Sequence, residues 1–303
     1  MICYRSTDKK SIKPTYTGKY KIVIDKCIHD NGTRVMKFAP SLTQIYGAMF
    51  KNCTTLKSIT IPESIDAVTG NPFINCINLI NIAGKFSSED GLCMIVNNEL
   101  KSYAHGSILT EYEIPAGVTR IGSLAFFNCQ RLKYINIPET VTCIGIESFN
   151  QCAGLRSIEL PEHLNCIEEW AFANCQNLKK IIIPDEVKGI HNATFIACYN
   201  LEEVHLGAKV EFISRKAFSL CESLKNIVVG KGMKTISSDA FDGCRSLESV
   251  RIEAVSPCRI IGTRSLFEIS NPDFKIYVPK ESVDLYRTSD GWNRLAQFIV
   301  PSN

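Results

Sequence analysis

Phe149-Asn150-Gln151-Cys152-Ala153-Gly154-Leu155-Arg156-Ser157-Ile158-Glu159-Leu160-Pro161 is the stretch that decides the fold. Its pattern, Phe-x-x-Cys-x-x-Leu-x-x-apolar-x-apolar, returns every 23 residues. Cys129, Cys152, Cys175, Cys198, Cys221 and Cys244 keep that step, and so do Cys53 and Cys76. Phenylalanine stands three residues before each of these cysteines and leucine three residues after. Eight coils in one register exclude coincidence. A fixed period of this size marks an architecture of stacked repeats.

Within one coil, Leu-x-x-Ile-x-Ile ends in apolar residues two apart, as on a strand with one buried face. Pro62, Pro115, Pro138, Pro161 and Pro184 follow that strand. Proline has no N–H to give to a ladder, so the strand stops there. A second apolar pair follows, such as Val141/Ile144 or Leu164/Ile167, and predicts a second short extended piece. The Phe-x-x-Cys-x-x-Leu spacing is closer to a helical turn. A single coil buries too little apolar surface to offset the entropy of ordering its backbone, so neighbours must stack. The expected fold is an α/β repeat solenoid: a right-handed superhelix of 23-residue coils with a parallel β-sheet on its concave face and capped ends.

The 53-residue gap from Cys76 to Cys129 resolves into 30 plus 23. Leu109-Thr110-Glu111-Tyr112-Glu113-Ile114-Pro115 repeats the strand half of the motif. A modified 30-residue coil therefore lies at about 79–108, without its Phe and Cys. Leu92-Cys93-Met94-Ile95-Val96 and Glu99-Leu100-Lys101-Ser102-Tyr103 flank Asn97-Asn98, which suits a tight hairpin because Asn tolerates positive φ. The strand stack is expected to run unbroken through this coil. Residues 1–41 form an N-terminal cap, with an alternating strand at Tyr20–Ile24. Thr33, Met36 and Phe38 fall in strand register with the first coil. Residues 42–255 are the repeats. Residues 256–303 form the C-terminal cap, with a last strand at Ile276-Tyr277-Val278-Pro279. An amphipathic helix is expected over Glu281–Ala296, with Val283, Tyr286 and Leu295 buried.

The formal net charge of +3 argues against a nucleic-acid partner. No stretch of 18 or more apolar residues suggests a membrane span. The first residues lack an apolar signal core, so either the protein stays inside or a leader was removed. The fourteen cysteines invite disulfide or metal readings. However, no Cys-x-x-Cys and no zinc-type Cys/His spacing occurs. In-register strands sit about 4.8 Å apart, longer than the mean disulfide Cβ separation of about 3.8 Å. The repeat cysteines therefore read as free, buried thiols. Cys143 and Cys166 form a second in-register pair, expected to face outward and stay free. The five histidines fall at unrelated repeat positions. No Ser/His/Asp set, phosphate loop or paired carboxylates can be nominated. No catalytic residue, metal ligand or cofactor is expected.

Binding then falls to the outward positions of the strands: Tyr134, Asn136, Glu159, Lys180, Ile182, Glu203, His205, Val228 and Arg251. Ordinary β-propensity on a solvated sheet would also place such residues there. Trp170 holds a variable position, matched by Leu124, Glu147, Ala193, Lys216 and Asp239, and is expected to be partly exposed. Residues 1–51 carry ten Lys/Arg against three Asp/Glu. That end could contact a polyanion, or simply be a solvated cap that discourages edge pairing. The expected protein is a monomer.

Phe-x-x-Cys-x-x-Leu-x-x-Ile-x-Ile-Pro-x-x-Val-x-x-Ile resembles the BspA-type leucine-rich-repeat family from about Leu42 to Ile252. The opening Ile2–Asp8, the odd coil Gly84–Gly91, and Ile276–Pro279 followed by Ser282–Tyr286 also look like members from anaerobic gut bacteria. Related repeats occur in some protist parasites. The last three coils depart from the pattern, with Gly207, Gly230 and Glu253 in place of the strand-ending proline. The resemblance implies a secreted or surface-exposed bacterial protein that adheres to a protein or host-matrix ligand, with no shared catalytic residues to carry over. It also implies an anaerobic habitat, where free thiols in an exported protein are tolerable. The alternatives are a structural spacer without a ligand of its own and a glycan-binding or glycan-active protein.

Overall fold

The computed structural model describes residues 24–30, 33–38, 42–262, 266–267 and 271–302, with side chains from Phe38 onward. It is a solenoid of short parallel strands. The first strand of each coil stacks on its neighbours in register. Glu111–Glu113, Tyr134–Asn136 and Ser157–Glu159 form one run. Lys180–Ile182, Glu203–His205, Asn226–Val229, Ser249–Ile252 and Lys275–Val278 form the next. The second extended piece builds a parallel stack of its own, as in Arg120–Ile121, Cys143–Ile144 and Cys166–Ile167. Strand residues alternate exposed, buried, exposed, so every second side chain enters the core.

The Phe column lies at the centre of that core. Phe149 and Phe172 stack at 5.2 Å and 5°, and Phe172 and Phe195 at 5.4 Å and 2°. The expected helical turn is a pair of tight turns, closed by Cys152 N–H to Phe149 O at 3.1 Å and Leu155 N–H to Cys152 O at 3.0 Å. In most coils the residue two before Phe takes positive φ, as does the residue one before Cys: Trp170 (58°) and Asn174 (59°) are examples, while Asn71 and Asp239 are exceptions at the first position. Between these points the backbone donates to the next coil: Phe149 N–H to Ala171 O at 2.8 Å and Gln151 N–H to Ala173 O at 2.9 Å. A backbone ladder thus runs along the turns as well as along the strands, which satisfies buried polar groups on that side.

The modified coil interrupts the strand stack, contrary to expectation. Asn81–Gly84 ends one sheet, Glu111–Glu113 begins another, and the two strands do not pair. The reason is the hairpin of Cys93–Val96 and Glu99–Tyr103, which turns at Asn97 (φ 51°) and Asn98 (φ 61°). It joins the second stack beside Arg120–Ile121. Met94 and Val96 pack into a core cluster with residues 38–104, while Cys93, Leu100 and Tyr103 belong to the larger cluster that follows. The hairpin is therefore a partition between two cores. Tyr103 replaces the missing Phe and stacks on Phe126 at 5.1 Å. Gly106 stands where Cys would; a Cβ there would lie 2.5 Å from the Asn78 backbone. Asn128 donates through Nδ2 to Asn75 Oδ1 at 2.8 Å, and Asn75 to Asn52 in the same way at 2.8 Å. This side-chain ladder bridges the odd coil where the sheet does not.

At the N-terminal end, Ile24–Asp30 pairs antiparallel with Thr33–Phe38. Met36 lies opposite Ile59, the register read from the sequence. Tyr20–Val23 lie outside the described residues. At the other end, the single helix expected over Glu281–Ala296 is broken into Lys280–Ser282, Val283–Thr288 and Asn293–Phe298. The break falls near Gly291, whose φ of 79° no helix accommodates. Tyr286 and Leu295 are buried as expected, and Val283 is half-buried. Trp292, not anticipated, is also buried and donates Nε1–H to Cys258 O at 2.8 Å. Ile299–Pro301 adds a further parallel strand beyond Lys275–Val278, so Ile276–Val278 is not the last rung.

Candidate functional site

All nine outward strand residues named from the sequence are exposed. Register sets them in rows. Tyr134 lies beside Ser157, and Asn136 beside Glu159. Lys180 lies beside Glu203 and Ile182 beside His205. Val228 lies beside Arg251, and Arg251 beside Tyr277. Lys180 Nζ pairs with Glu203 Oε1 at 2.9 Å, and Glu203 also hydrogen-bonds His205. The His205 and Lys180 hydrogen bonds hold the Glu203 carboxyl below its ordinary pKa. Fully exposed ion pairs of this kind add little stability; here they order the polar part of the face.

Ile182 is 57% exposed, Val228 45% and Tyr134 41%. These apolar side chains stand exposed among charged ones on a rigid sheet. Around Ile182 lies an open groove of about 770 Å³. Glu139, Glu159, Glu162, Asp185 and Glu186 surround it, with Lys180 and His163 as the basic members of its lining. Most of these carboxylates escape a reading that stops at the strands. They sit in the turns after proline, in Pro138-Glu139, Pro161-Glu162-His163 and Pro184-Asp185-Glu186, and that recurring acid after Pro was the available signal. Tyr277 was missed as well, although its strand was recognised.

The hairpin of residues 92–103, which the sequence also offers as a second binding element, is largely core. Cys93, Met94, Val96, Leu100, Ser102 and Tyr103 are buried, and the turn residues Asn97 and Asn98 are exposed. His105 is buried against the carbonyls of Tyr103 and Phe127. Burial lowers its pKa. Trp170 is 39% exposed, as expected from its variable position. Among the described residues, no helix is long and apolar enough to cross a membrane.

The repeat cysteines form no disulfides and, apart from the half-buried Cys53, are buried. Their S–H groups donate to the Phe carbonyl of the preceding coil: Cys152 to Phe126 at 3.0 Å, Cys198 to Phe172 at 3.2 Å, Cys244 to Phe218 at 3.1 Å. Cys143 and Cys166 are free and half-buried. A Cys143–Cys166 hydrogen bond raises the pKa of Cys143 and lowers that of Cys166 to about 7.

Comparisons with known proteins agree with this geometry. A family model described as a BspA type leucine rich repeat region matches residues 18–90, 98–224 and 188–282 in six copies. A leucine-rich repeat protein from Eubacterium ventriosum is 26% identical, with a TM-score of 0.61 over 69% of this chain and 57% of that one. The pneumococcal vaccine antigen PcpA is 20% identical, with a TM-score of 0.57 over 86% of this chain and 58% of that one. The leucine-rich repeat protein of T. pallidum is 22% identical, with a TM-score of 0.52 over 70% of this chain and 94% of that one. The chain thus spans less than two thirds of the first two. A search of curated proteins finds no match. The residue pattern, the stacked coils and the matched model agree that this chain belongs to the BspA-type leucine-rich-repeat family.

Proposed function

We propose that this chain is a non-catalytic adhesion module of a secreted or surface-exposed bacterial protein, and that it binds a partner protein through the exposed strand face. The observation that carries the reading is the row of outward residues from Tyr134 to Arg251, in which Ile182 and Val228 stand exposed among charged neighbours. Membership of a repeat family and likeness to other leucine-rich-repeat structures support it. A parallel sheet offers many side chains on one rigid surface, so a partner binds without a large ordering cost. The acidic rim of the groove favours a partner that presents basic side chains beside an apolar anchor.

The test is capture of partners from extracellular-matrix or bacterial-surface extracts by the intact chain and by two variants. Ile182→Asp with Val228→Asp alters the strand face; Lys188→Glu with Lys216→Glu alters exposed positions elsewhere on the coils. The proposal expects the first variant to lose the captured protein and the second to keep it. Equal capture by both would place the binding surface elsewhere on the coils, and no capture by the intact chain would support a structural spacer instead.

A further inference from the structure

We propose that Cys143, Cys166 and Glu168 form a binding site for a thiophilic divalent cation, with Zn²⁺ as the natural class. Their ligand atoms, one from each side chain, all lie within 4.8 Å of one another, and all three residues are half-buried. Cys143 and Cys166 are register partners on adjacent strands. Glu168 lies two residues beyond Cys166, the spacing that returns a side chain to the same face of an extended segment. Its carboxylate reaches back over the preceding coil, where Oε2 accepts the Ile146 N–H at 2.9 Å.

Strand spacing decides between a disulfide and a metal bridge. A disulfide needs sulfurs at about 2.05 Å and Cβ atoms near 3.8 Å, which in-register strands about 4.8 Å apart do not offer. One tetrahedral ion with Zn–S bonds of about 2.3 Å holds its two sulfurs roughly 3.8 Å apart, a span that this ladder accommodates. Two thiolates and one carboxylate, with water in the fourth position, make a three-ligand open site.

Arg120 completes the arrangement. It sits on the next strand, in register with Cys143. It donates through Nη1 to Cys143 Sγ at 2.7 Å and through Nη2 to both Glu168 oxygens at 3.0 Å. In the loaded site it remains an N–H donor to thiolate, an outer partner that orients the ligand. Two thiolates and the Glu168 carboxylate bring three negative charges to face the cation and Arg120, and Glu99, 3.8 Å from the Arg120 Nε, adds a further carboxylate at the edge of the site. Beyond Cys166 the column changes character: Gly189 has no side chain, and the Phe212 ring fills the space its Cβ would take. The site is therefore bounded by a guanidinium on one side and a phenyl ring on the other. Cys143 lies 23 residues before Cys166 and meets it only through the stacking of coils, which is why a search for local ligand spacing does not find the set of three.

The experiment is titration of the reduced, chelator-treated chain with Cd²⁺ and Co²⁺. We expect one ion per chain, a thiolate-to-metal charge-transfer band and release of up to two protons per ion. The Cys143→Ser/Cys166→Ser double variant should lose the band. Glu168→Gln should weaken binding by about 10-fold or more. Cys53→Ser, outside the cluster, should leave the titration unchanged. Circular dichroism of each apo variant checks that the solenoid is intact. Wild-type affinity weaker than about 100 μM, or an unaltered band in the double variant, would overturn the site.

Discussion

The Cys175 thiol donates a hydrogen bond to the Phe149 carbonyl of the preceding coil at 3.2 Å. That carbonyl also accepts the Cys152 N–H of its own coil at 3.1 Å. The repeat cysteine is thus both a small apolar filler and a weak donor to the coil behind it. Cys175→Ala keeps one partner for the carbonyl but empties the sulfur's volume. A loss of about 1–2 kcal/mol in urea unfolding is expected. No loss would mean that the ladder is not packed as described.

Burial pushes the thiols of Cys76, Cys198, Cys244 and Cys258 up to about 12 from an ordinary 9.0. The folded state therefore holds protons that the unfolded chain releases. Their contribution is fully present below about pH 9 and is lost as pH rises toward 12. Each such thiol removes roughly 1.4 kcal/mol per pH unit across that window. Denaturant midpoints measured from pH 7 to 11 should fall steeply above 9. A flat profile through pH 10.5 would place these thiols in water.

Phe172 is completely buried in the ring column, whereas Trp170, two residues before it, is partly exposed. Phe172→Ala should cost about 3–5 kcal/mol. Trp170→Ala should cost about 1 kcal/mol or less. Equal losses in chemical denaturation would mean that the register of the turn is misread.

Lys216 is exposed and holds a φ of 53°, in the region that side chains enter at a cost. Lys216→Gly should raise stability by about 0.5–1 kcal/mol, and Lys216→Val should lower it by a similar amount. Thermal unfolding of the two variants gives the sign directly.

The coil was legible because its signal repeats. Each Phe, Cys and Leu is fixed by a column of identical neighbours, so one reading error would show against seven correct copies. The exposed strand face was legible for the same reason, since alternation within Tyr134-Ile135-Asn136 or Lys180-Ile181-Ile182 assigns its outward members. What escaped was whatever the repeat does not encode. The left-handed turn positions carry Trp170, Glu147, Lys216 or Ala193, none of which announces positive φ as glycine does. The hairpin was read, but its effect on the stack was not. Pairing of Asn81–Gly84 with Glu111–Glu113 is lost because Cys93–Tyr103 enters the core between them, a long-range packing outcome. The terminal helix was over-extended because Gly291 and Trp292 fall inside an amphipathic pattern that the fold breaks. The acidic groove needed three turns brought side by side, and Glu139, Glu162 and Asp185 meet only through the stacking of coils.

The central functional claim is that the strand face, rather than the turn side of the coils, meets the partner. Photo-cross-linking tests it directly, with a photoreactive residue placed either at Ile182 or at Trp170 of the intact chain. In the extract that yields a captured protein, the account predicts that protein cross-linked through position 182 and not through position 170. A cross-link through position 170 alone would contradict it.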